Sequence, residues 1–416
     1  MEKMGSIKNF INMFEQSLGV EEPWYVDRAE FIEGKGEVHV YIRTRDSAMY
    51  NCPVCDAECK RYDNEDKERV WRHGDVAFYP CYIHCRRPRT ICSEHKVRVV
   101  DAPWARRKSG FTLMFEGYAL FLMQNMPIAK VAKLLKCSHT ALTNMLQYWV
   151  EKAVAEDDLS EVDVLCIDET SHRKGHKYVT VIIDGRQRRV IGVEDGKDSK
   201  TIEKFSLKFE EKGGDCNNVK QVSTDMSKAF LSAREMCFPN SISVIDKFHV
   251  KKLVLEGMEK VRREEQDLSR KSSKGVGRKL LMIPKKRQTE QQEEAIIKLC
   301  NKYKKTGRAY SMVQSLDDFY NSFDEDEAER KLKKLISWMK HSRLEPMKSV
   351  ASTLSKYSRE ILAYFASRLT NAIAEGINSL IQAAKRKARG YKTFRGFACM
   401  IYLIAGKLKL SCPSPI

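Results

Sequence analysis

The spacing of hydrophobic positions separates a strand-rich front end, a helical segment and a segment in which strands and helices alternate. Short apolar runs broken by turn residues fill residues 36–100, and apolar residues recur at helical spacing from 112 to 155. Between residues 162 and 250 the pattern predicts strands at 164–168, 178–184, 189–193, 219–224 and 242–246, with helices near 199–212 and 227–237. Hairpins followed by strand–helix–strand units favour a mixed sheet in an α/β layered fold.

The N-terminus and the second half of the chain have a mainly helical pattern. A short helix is expected from Ile7 to Leu18, followed by a strand. Residues 250–365 are helical and heavily charged, and a last helical segment runs from about 370 to 410. A chain of 416 residues allows roughly two to four domains. The sequence therefore predicts a multidomain protein that combines α+β and α/β parts.

Charge and composition indicate the class of partner. Lys and Arg number 74 against 56 Asp and Glu, which gives a net charge of +18 at pH 7. This excess favours a polyanionic partner, with a merely soluble basic surface as the alternative. No apolar run reaches the ~18 residues of a membrane span, and the N-terminus lacks a signal-peptide core, so we expect a cytoplasmic protein without a membrane partner. The thirteen Cys then predict free thiols or metal ligands rather than disulfides.

Two short motifs in the front end have the spacing of zinc ligands. Cys52 and Cys55 lie in NCPVCD, and Cys92 and His95 lie in TICSEH. Two such pairs supply the four donors of a tetrahedral structural zinc site. The alternatives are reduced cysteines packed in a small β module, or other ligands drawn from Cys59, Cys81, His84 and Cys85. Basic residues before the second motif favour a module that lies on nucleic acid: Arg86, Arg87 and Arg89.

Residues 125–153 have the pattern of a helix-turn-helix. One helical face carries apolar residues from Ile128 to Leu135, Lys136 and Cys137 form the turn, and Ser138 can cap the next helix. Plain packing units also show this pattern, but its exposed face would present side chains that hydrogen-bond to base edges or phosphates. We expect the DNA contacts to come from His139, Thr140, Thr143, Asn144 and Gln147.

Three acidic residues stand where strand or helix geometry can bring them together. Asp168 closes the first strand of the alternating segment, and Asp225 follows a later strand, in QVSTDMSKAF. The carboxyl ends of strands are where α/β sheets bind ligands. Glu375 lies on a helix whose polar face would also carry Asn371, Asn378 and Gln382. Each acid alone is typical of a cap or a salt bridge, whereas the three together indicate a metal site.

Two strand-end Asp and one helical Glu can hold a pair of Mg²⁺ ions, because Mg²⁺ prefers oxygen ligands. Such a pair activates the attacking hydroxyl and stabilises the departing oxyanion of a phosphodiester. Asp246 and His249 in DKFHVKK are either a helix start with its cap or a pair that supports the metal site. Neighbouring cations would hold the DNA backbone: Arg173, Lys174 and Lys177, and then Lys385, Arg386, Lys387 and Arg389.

Several motifs occur in one order along the chain. These are CPVC, RRPRTIC, the helix-turn-helix, IDETSHRKGHKYVTVIID, STDMSKAF, VIDKFHVKK and TNAIAEGINSLIQAAKRKARGYKTFRGF. In these motifs and their order the sequence resembles the DDE transposases of bacterial insertion sequences, specifically the ISL3 family. The resemblance implies an RNase H-like catalytic core with Asp168, Asp225 and Glu375 as its triad. From its place on the polar face of the Glu375 helix, we expect Asn378 to support the site. The resemblance also implies a helical insertion between Asp225 and Glu375, and His95 stands where many relatives have Cys.

The resemblance and the patterns together give an expected domain order. It comprises an N-terminal helix and strand (1–39), a zinc-ribbon-like module (40–104), a helix-turn-helix domain (105–157), an RNase H-like core (160–249 and 366–410) and an all-helical insertion (250–365).

The resemblance implies a transposase that binds the inverted repeats of its element. It would cleave the DNA ends by two-metal-ion hydrolysis, with Mg²⁺ or Mn²⁺, and join them to target DNA by transesterification. Pairing two ends implies at least a homodimer, working at the bacterial nucleoid. The alternatives are a zinc-containing DNA-binding regulator with a non-catalytic core, or a structure-specific nuclease without strand transfer.

Overall fold

The computed structural model describes residues 2–173, 177–266, 277–367 and 372–413. The chain divides into two compact units. Unit 1 comprises Met1–Val154, Ala384–Arg389 and Leu408–Ile416, and unit 2 comprises Ala155–Ala383 and Gly390–Lys407. In the described residues, no helix is both long and apolar enough to cross a membrane.

Unit 1 begins with a helix and two four-stranded sheets. Helix α1 (Glu2–Leu18) extends the predicted helix by five residues toward the N-terminus. The first sheet has the strand order β1-β2-β6-β5, and the second has the order β3-β4-β7-β8. The strands are β1 (Trp24–Ile32), β2 (Glu37–Thr44), β3 (Met49–Asn51), β4 (Glu58–Asn64), β5 (Arg69–Val76), β6 (Tyr79–Cys85), β7 (Pro88–Cys92) and β8 (Lys96–Val99).

One face of the first sheet packs on a core of its own. Along β2, Val38, Val40 and Ile42 are buried and alternate with less buried residues, as expected for a sheet with a single core face. Trp104 contacts Trp24 and Trp71 edge to face, with ring centroids 5.2 and 5.6 Å apart. Aromatic pairs of this kind add to the stabilisation that burial provides. The front end is therefore a folded β module and not an extended arm.

Three helices complete unit 1: α2 (Leu113–Asn125), α3 (Ile128–Leu134) and α4 (His139–Ala155). Their bounds agree with the helical pattern from 112 to 155. Thr112 caps α2 by accepting a hydrogen bond from the N–H of Phe115. Lys136, in the turn between α3 and α4, has a φ of 50°, which lets the chain reverse within a few residues.

Unit 2 contains a five-stranded mixed sheet with the order β11-β10-β9-β12-β13. β9, β10 and β11 pair antiparallel, whereas β12 is parallel to both β9 and β13. This confirms the predicted mixed sheet of hairpins followed by strand–helix–strand units. The elements are β9 (Val164–Arg173), β10 (Lys177–Asp184), β11 (Arg189–Asp195), α5 (Ser199–Glu211), β12 (Gln221–Thr224), α6 (Lys228–Cys237) and β13 (Ile242–Ile245).

Both faces of this sheet are covered. Leu165 and Ile167 of β9 belong to a core with residues of α5 and α6. On the opposite face, Cys166 belongs to a core with residues of two helices from the end of the chain, α14 (Ala372–Lys387) and α15 (Phe394–Ala405). This explains why the strands are nearly continuous in apolar residues. β9 runs five residues past its predicted end at 168 because it pairs with β10 along the whole hairpin.

Helices fill the segment between β13 and α14. They form one apolar core, to which Ile245 at the end of β13 also belongs. On α11 the buried residues Ala328, Leu332, Leu335 and Met339 recur at helical spacing, and Asp324 caps its first turn. The helices are α7 (Lys247–Glu265), α8 (Arg278–Leu281), α9 (Glu290–Lys302), α10 (Lys304–Tyr320), α11 (Glu325–Lys340), α12 (Glu345–Lys356) and α13 (Ser358–Ser367).

Because α5 packs closely on the sheet, a methyl group added at Gly192 is expected to destabilise the fold. A Cβ added at Gly192 would lie 2.6 Å from the ring of Phe205 and 3.0 Å from Ile182. We expect Gly192→Ala to lower the free energy of unfolding by about 1–3 kcal/mol, measured by urea denaturation. Gly34→Ala is the control, because a Cβ there meets nothing within 4 Å. Equal stability of the two variants would contradict this packing.

Candidate functional site

Three acidic residues lie just past the parallel-paired residues of three neighbouring strands: Asp168 within β9, Asp225 directly after β12 and Asp246 directly after β13. β9 pairs in parallel with β12, and β12 with β13. Continued past the last paired residues, these registers bring Asp168, Asp225 and Asp246 to one level across the sheet. Residues in register on parallel strands point to the same side, and here that side is the one that carries α14. The strand ends thus bring together two of the predicted catalytic acids and Asp246.

The pKa values of Asp168 and Glu375 are raised by burial and by neighbouring carboxylates. Burial raises the pKa of Asp168, and the charges of Asp246 and Asp225 raise it further, against the opposing effects of the Glu169 N–H and of His249. Burial likewise raises the pKa of Glu375, with added contributions from Asp246 and Asp168. Glu375 is therefore close enough to interact electrostatically with the carboxylates of Asp246 and Asp168.

Asp246 and His249 form a helix start with its cap and also lie beside the acidic site, which are the two alternatives that the sequence left open. Asp246 is 5% exposed and starts α7, because its Oδ1 accepts the Phe248 N–H at 2.9 Å. Its Oδ2 lies 3.1 Å from Nδ1 of His249. This hydrogen bond raises the pKa of His249, and the charges of Asp168 and Asp225 add to the effect. The pair is a helix cap that also belongs to the acidic cluster.

Helix α14 is joined to β9 by two side-chain amides. Asn378 donates a hydrogen bond from Nδ2 to Oδ2 of Asp168. One turn later, Nε2 of Gln382 donates to Oγ1 of Thr170 at 2.6 Å. Thr170 was missed by the sequence analysis, although its place two residues after Asp168 puts it on the same face of the strand.

Other predicted site residues lie apart or outside the described residues. Glu375 is exposed, and in the described chain the three predicted catalytic acids do not form a set whose ligand atoms all lie within 4.8 Å of one another. Lys174 and Asn371 fall outside the described residues, and the side chain of Arg173 is not described. The side chain of Lys177 is likewise not described. The other cations predicted to hold the DNA backbone lie at the end of α14 or just after it, where Lys385 is half-buried and Arg386, Lys387 and Arg389 are exposed.

The four predicted zinc ligands form a compact group. One ligand atom from each of Cys52, Cys55, Cys92 and His95 lies within 4.8 Å of the others. Sγ of Cys55 and Sγ of Cys92 are 3.7 Å apart, and Nδ1 of His95 lies 3.6 and 3.8 Å from Sγ of Cys92 and Cys52. A tetrahedron with normal zinc bonds has S–S edges of about 3.8 Å and S–N edges of about 3.6 Å. The group therefore fits a zinc ion, with Nδ1 of His95 as the fourth ligand.

The pKa of Cys92 agrees with that fit. Hydrogen bonds from the backbone N–H groups of His95 and Glu94 lower the pKa of Cys92 to about 7, which favours the thiolate that zinc requires. Burial raises the pKa of the competing thiols Cys81 and Cys85 to about 12, and both lie in the core of the first sheet. His84 instead contacts His39 and Glu68.

Cys59 is a closer competitor for a place in this site. It is buried beside Cys52 and Cys92, yet it is outside the compact ligand group. Its Sγ lies 3.3 Å from the carbonyl oxygen of Ala57, to which it donates.

The helix-turn-helix presents the predicted polar face. Val131 and Leu135 are buried, and so are Leu142, Met145 and Trp149 of α4. His139, Thr140 and Asn144 are exposed, whereas Thr143 and Gln147 are half-buried. These five side chains therefore lie on the solvent side of α4.

A buried carboxylate, missed by the sequence analysis, ties these helices together. Glu116 of α2 is fully buried and accepts hydrogen bonds from Ser109 Oγ at 2.5 Å, Trp149 Nε1 at 2.6 Å and Arg106 Nε at 2.8 Å. The signal was a lone acid in the otherwise apolar stretch LMFEGYALFLM. Removal of one partner of a buried ion pair is strongly destabilising, so this network fixes α4 relative to α2.

Comparisons with known families cover three parts of the chain. Residues 165–401, more than half of the chain, match a family model described as "Transposase". Residues 100–150 match the "Helix-turn-helix domain of transposase family ISL3", and residues 51–95 match the "zinc-finger of transposase IS204/IS1001/IS1096/IS1165". The zinc-finger match and the Cys₃His group together support a structural zinc ion, and the helix-turn-helix match supports DNA binding.

Two curated relatives align over nearly their whole length. "Transposase for insertion sequence element IS1557" of Mycobacterium tuberculosis (strain ATCC 25618 / H37Rv) is 23% identical, over 92% of this chain and 93% of the relative. "Transposase for insertion sequence element IS1001" of Bordetella parapertussis is 25% identical, over 91% and 94%.

The zinc geometry predicts which residues hold the ion. We expect His95→Ala to lower zinc content well below one ion per chain, because it removes one of four ligands. Cys59→Ala is the matched control and should retain zinc, since Cys59 is buried beside the site without being a ligand. Elemental analysis of the purified variants measures the difference. Loss of zinc only from Cys59→Ala would assign the fourth ligand to Cys59.

Proposed function

The chain belongs to the ISL3 family of transposases, and from this premise we propose that it binds the inverted repeats of its insertion sequence, cleaves the DNA there and joins the ends to target DNA. The acidic cluster at the strand ends is the observation that carries the catalytic part of the proposal. The helix-turn-helix and the zinc module support the DNA-binding part.

We propose that residues 160–249 and 366–410 form an RNase H-like core. Support comes from the strand order β11-β10-β9-β12-β13, in which an antiparallel three-stranded half continues into two parallel strands. Residues 250–365 would be the helical insertion, preceded by the N-terminal segment 1–39, the zinc-ribbon-like module 40–104 and the helix-turn-helix domain 105–157.

Asp168, Asp225 and Glu375 are the proposed catalytic triad. Carboxylate oxygens suit a hard divalent cation, and acids with raised pKa values, here Asp168 and Glu375, are typical of functional sites. Two Mg²⁺ or Mn²⁺ ions bound there would activate a water molecule and stabilise the departing oxyanion.

The remaining residues of the cluster would support this chemistry. Asp246 orients His249 through Nδ1, which leaves Nε2 of the imidazole for the DNA or for a ligand carboxylate. Asn378 would support Asp168. We propose Arg173, Lys174, Lys385, Arg386, Lys387 and Arg389 as contacts to the DNA backbone, because phosphate neutralisation by Lys and Arg dominates DNA affinity.

On α4, we propose that His139, Thr140, Thr143, Asn144 and Gln147 contact the inverted repeats. These side chains are hydrogen-bonding groups, and such groups discriminate base edges in the major groove. Because two element ends must be held together for transposition, the working form would be at least a homodimer at the nucleoid.

The test is end cleavage and joining on duplexes that carry the inverted repeats flanking the gene. We expect Asp168→Asn to lower the cleavage rate by about three orders of magnitude, since several kcal/mol of transition-state stabilisation are lost. Affinity for the same duplex in a gel-shift assay should stay within about threefold, because Asp168 lies outside the helix-turn-helix.

Asp195→Asn is the matched control, because Asp195 is an exposed acid at the end of β11, outside the cluster. It should cleave like the wild type. A wild-type chain that binds the ends without cutting them would identify a DNA-binding regulator, and cleavage without joining to a target duplex would identify a nuclease.

A further inference from the structure

We propose that Asn378 is a positioning residue that orients the carboxylate of Asp168 toward a bound divalent cation. This inference rests on the proposed function, because it assumes that Asp168 is a metal ligand. It adds a defined role, namely that the amide of Asn378 sets the affinity of the site for its metal.

Both oxygens of Asp168 accept a hydrogen bond from a fixed donor. The backbone N–H of Glu169 donates to Oδ1 at 2.7 Å, and Nδ2 of Asn378 donates to Oδ2. The two donors come from different elements, β9 and α14, so the plane of the carboxylate is fixed from two sides. A carboxylate oxygen has two lone pairs, and the second one on each oxygen stays available to a metal ion.

The chemical nature of the donor favours a positioning role over charge neutralisation. A Lys or Arg at position 378 would pair with Asp168 and compete with a cation for its negative charge. An amide fixes the orientation and leaves the charge in place. Metal-ligating carboxylates commonly have such outer hydrogen bonds, and loss of one typically lowers metal affinity.

The carbonyl oxygen of the Asn378 side chain also supports the positioning role. Its Oδ1 is buried and accepts no hydrogen bond within the described part of the chain. A buried acceptor without a donor is unfavourable. Beside a metal-ligating carboxylate, the hydration shell of the ion is a source of donors for that oxygen, because Mg²⁺ keeps several of its waters in protein sites.

A purely structural role is the competing explanation. Asn378 and Gln382 lie one turn apart on α14, and their partners Asp168 and Thr170 lie two residues apart on β9. Both bonds could therefore serve only to dock the helix. Gln382 provides the control, because its bond to Thr170 docks the same helix on the same strand without contacting a carboxylate.

The experiment measures Mn²⁺ affinity of the full-length, zinc-loaded chain without DNA, by isothermal titration calorimetry. The variants are Asn378→Leu, which keeps the side-chain size but removes the donor, Gln382→Leu as the control and Asp168→Asn as the reference for loss of a ligand. Asn378→Ala replaces the leucine variant if thermal melting shows that the latter does not fold.

We expect Asn378→Leu to bind Mn²⁺ about 10- to 100-fold more weakly than the wild type, and Gln382→Leu to stay within about threefold. End cleavage by Asn378→Leu should need correspondingly more Mn²⁺ and return toward the wild-type rate at saturation. Unchanged Mn²⁺ affinity in Asn378→Leu, or an equal loss in Gln382→Leu, would overturn the positioning role.

The Asp168→Asn variant distinguishes failure of the positioning role from failure of the proposed function. If Asp168→Asn binds Mn²⁺ as tightly as the wild type, Asp168 is not a metal ligand, and both proposals fall. If Asp168→Asn loses the ion while Asn378→Leu keeps it, only the role of Asn378 is rejected.

Discussion

The parallel register of β9, β12 and β13 is the constraint on which the candidate site depends, because it brings three carboxylates together in spite of their mutual repulsion. Asp168, Asp225 and Asp246 come to one level because the backbone hydrogen bonds of β9, β12 and β13 fix their register. The apolar cores on both faces of the sheet provide the stabilisation that offsets this repulsion. His249 belongs to the same cluster, and its hydrogen bond to Asp246 and the neighbouring charges raise its pKa.

The order of elements in unit 2 was predictable because the alternation of apolar runs and helical stretches is a local signal. The strands at 178–184 and 242–246 and the helix near 199–212 agree with the structure to within one or two residues. The hydrophobic pattern could not predict contacts between residues that are far apart in the sequence. The bond from Asn378 to Asp168 spans 210 positions, and the burial of Glu116 depends on Trp149 from another helix. Side-chain partners of this kind follow from tertiary packing, which hydrophobic periodicity does not encode.

The candidate sites differ in how far the sequence alone could define them. The zinc ligands occur as two local pairs, so spacing identified all four, and the remaining question concerned the competing cysteines. The structure excludes Cys81 and Cys85 from the ligand group because they are buried in a different core. The acidic site is assembled from four elements, and the sequence named its residues without fixing their distances. The distances in the site also depend on long side chains such as that of Glu375, because neighbouring residues and bound ions set the position of the carboxylate.

The helices between β13 and α14 have a consequence for synthesis of the chain. The predicted helix-turn-helix domain ends at residue 157, which is 218 positions before Glu375, and ribosomes add roughly 5–20 residues per second. A nascent polypeptide therefore emerges with its zinc module and helix-turn-helix on the order of ten seconds before the helix bearing Glu375 is made. During that interval the segments proposed to recognise DNA can fold while the acidic cluster still lacks its last member. The order of synthesis thus places the proposed recognition segments before the last proposed catalytic acid.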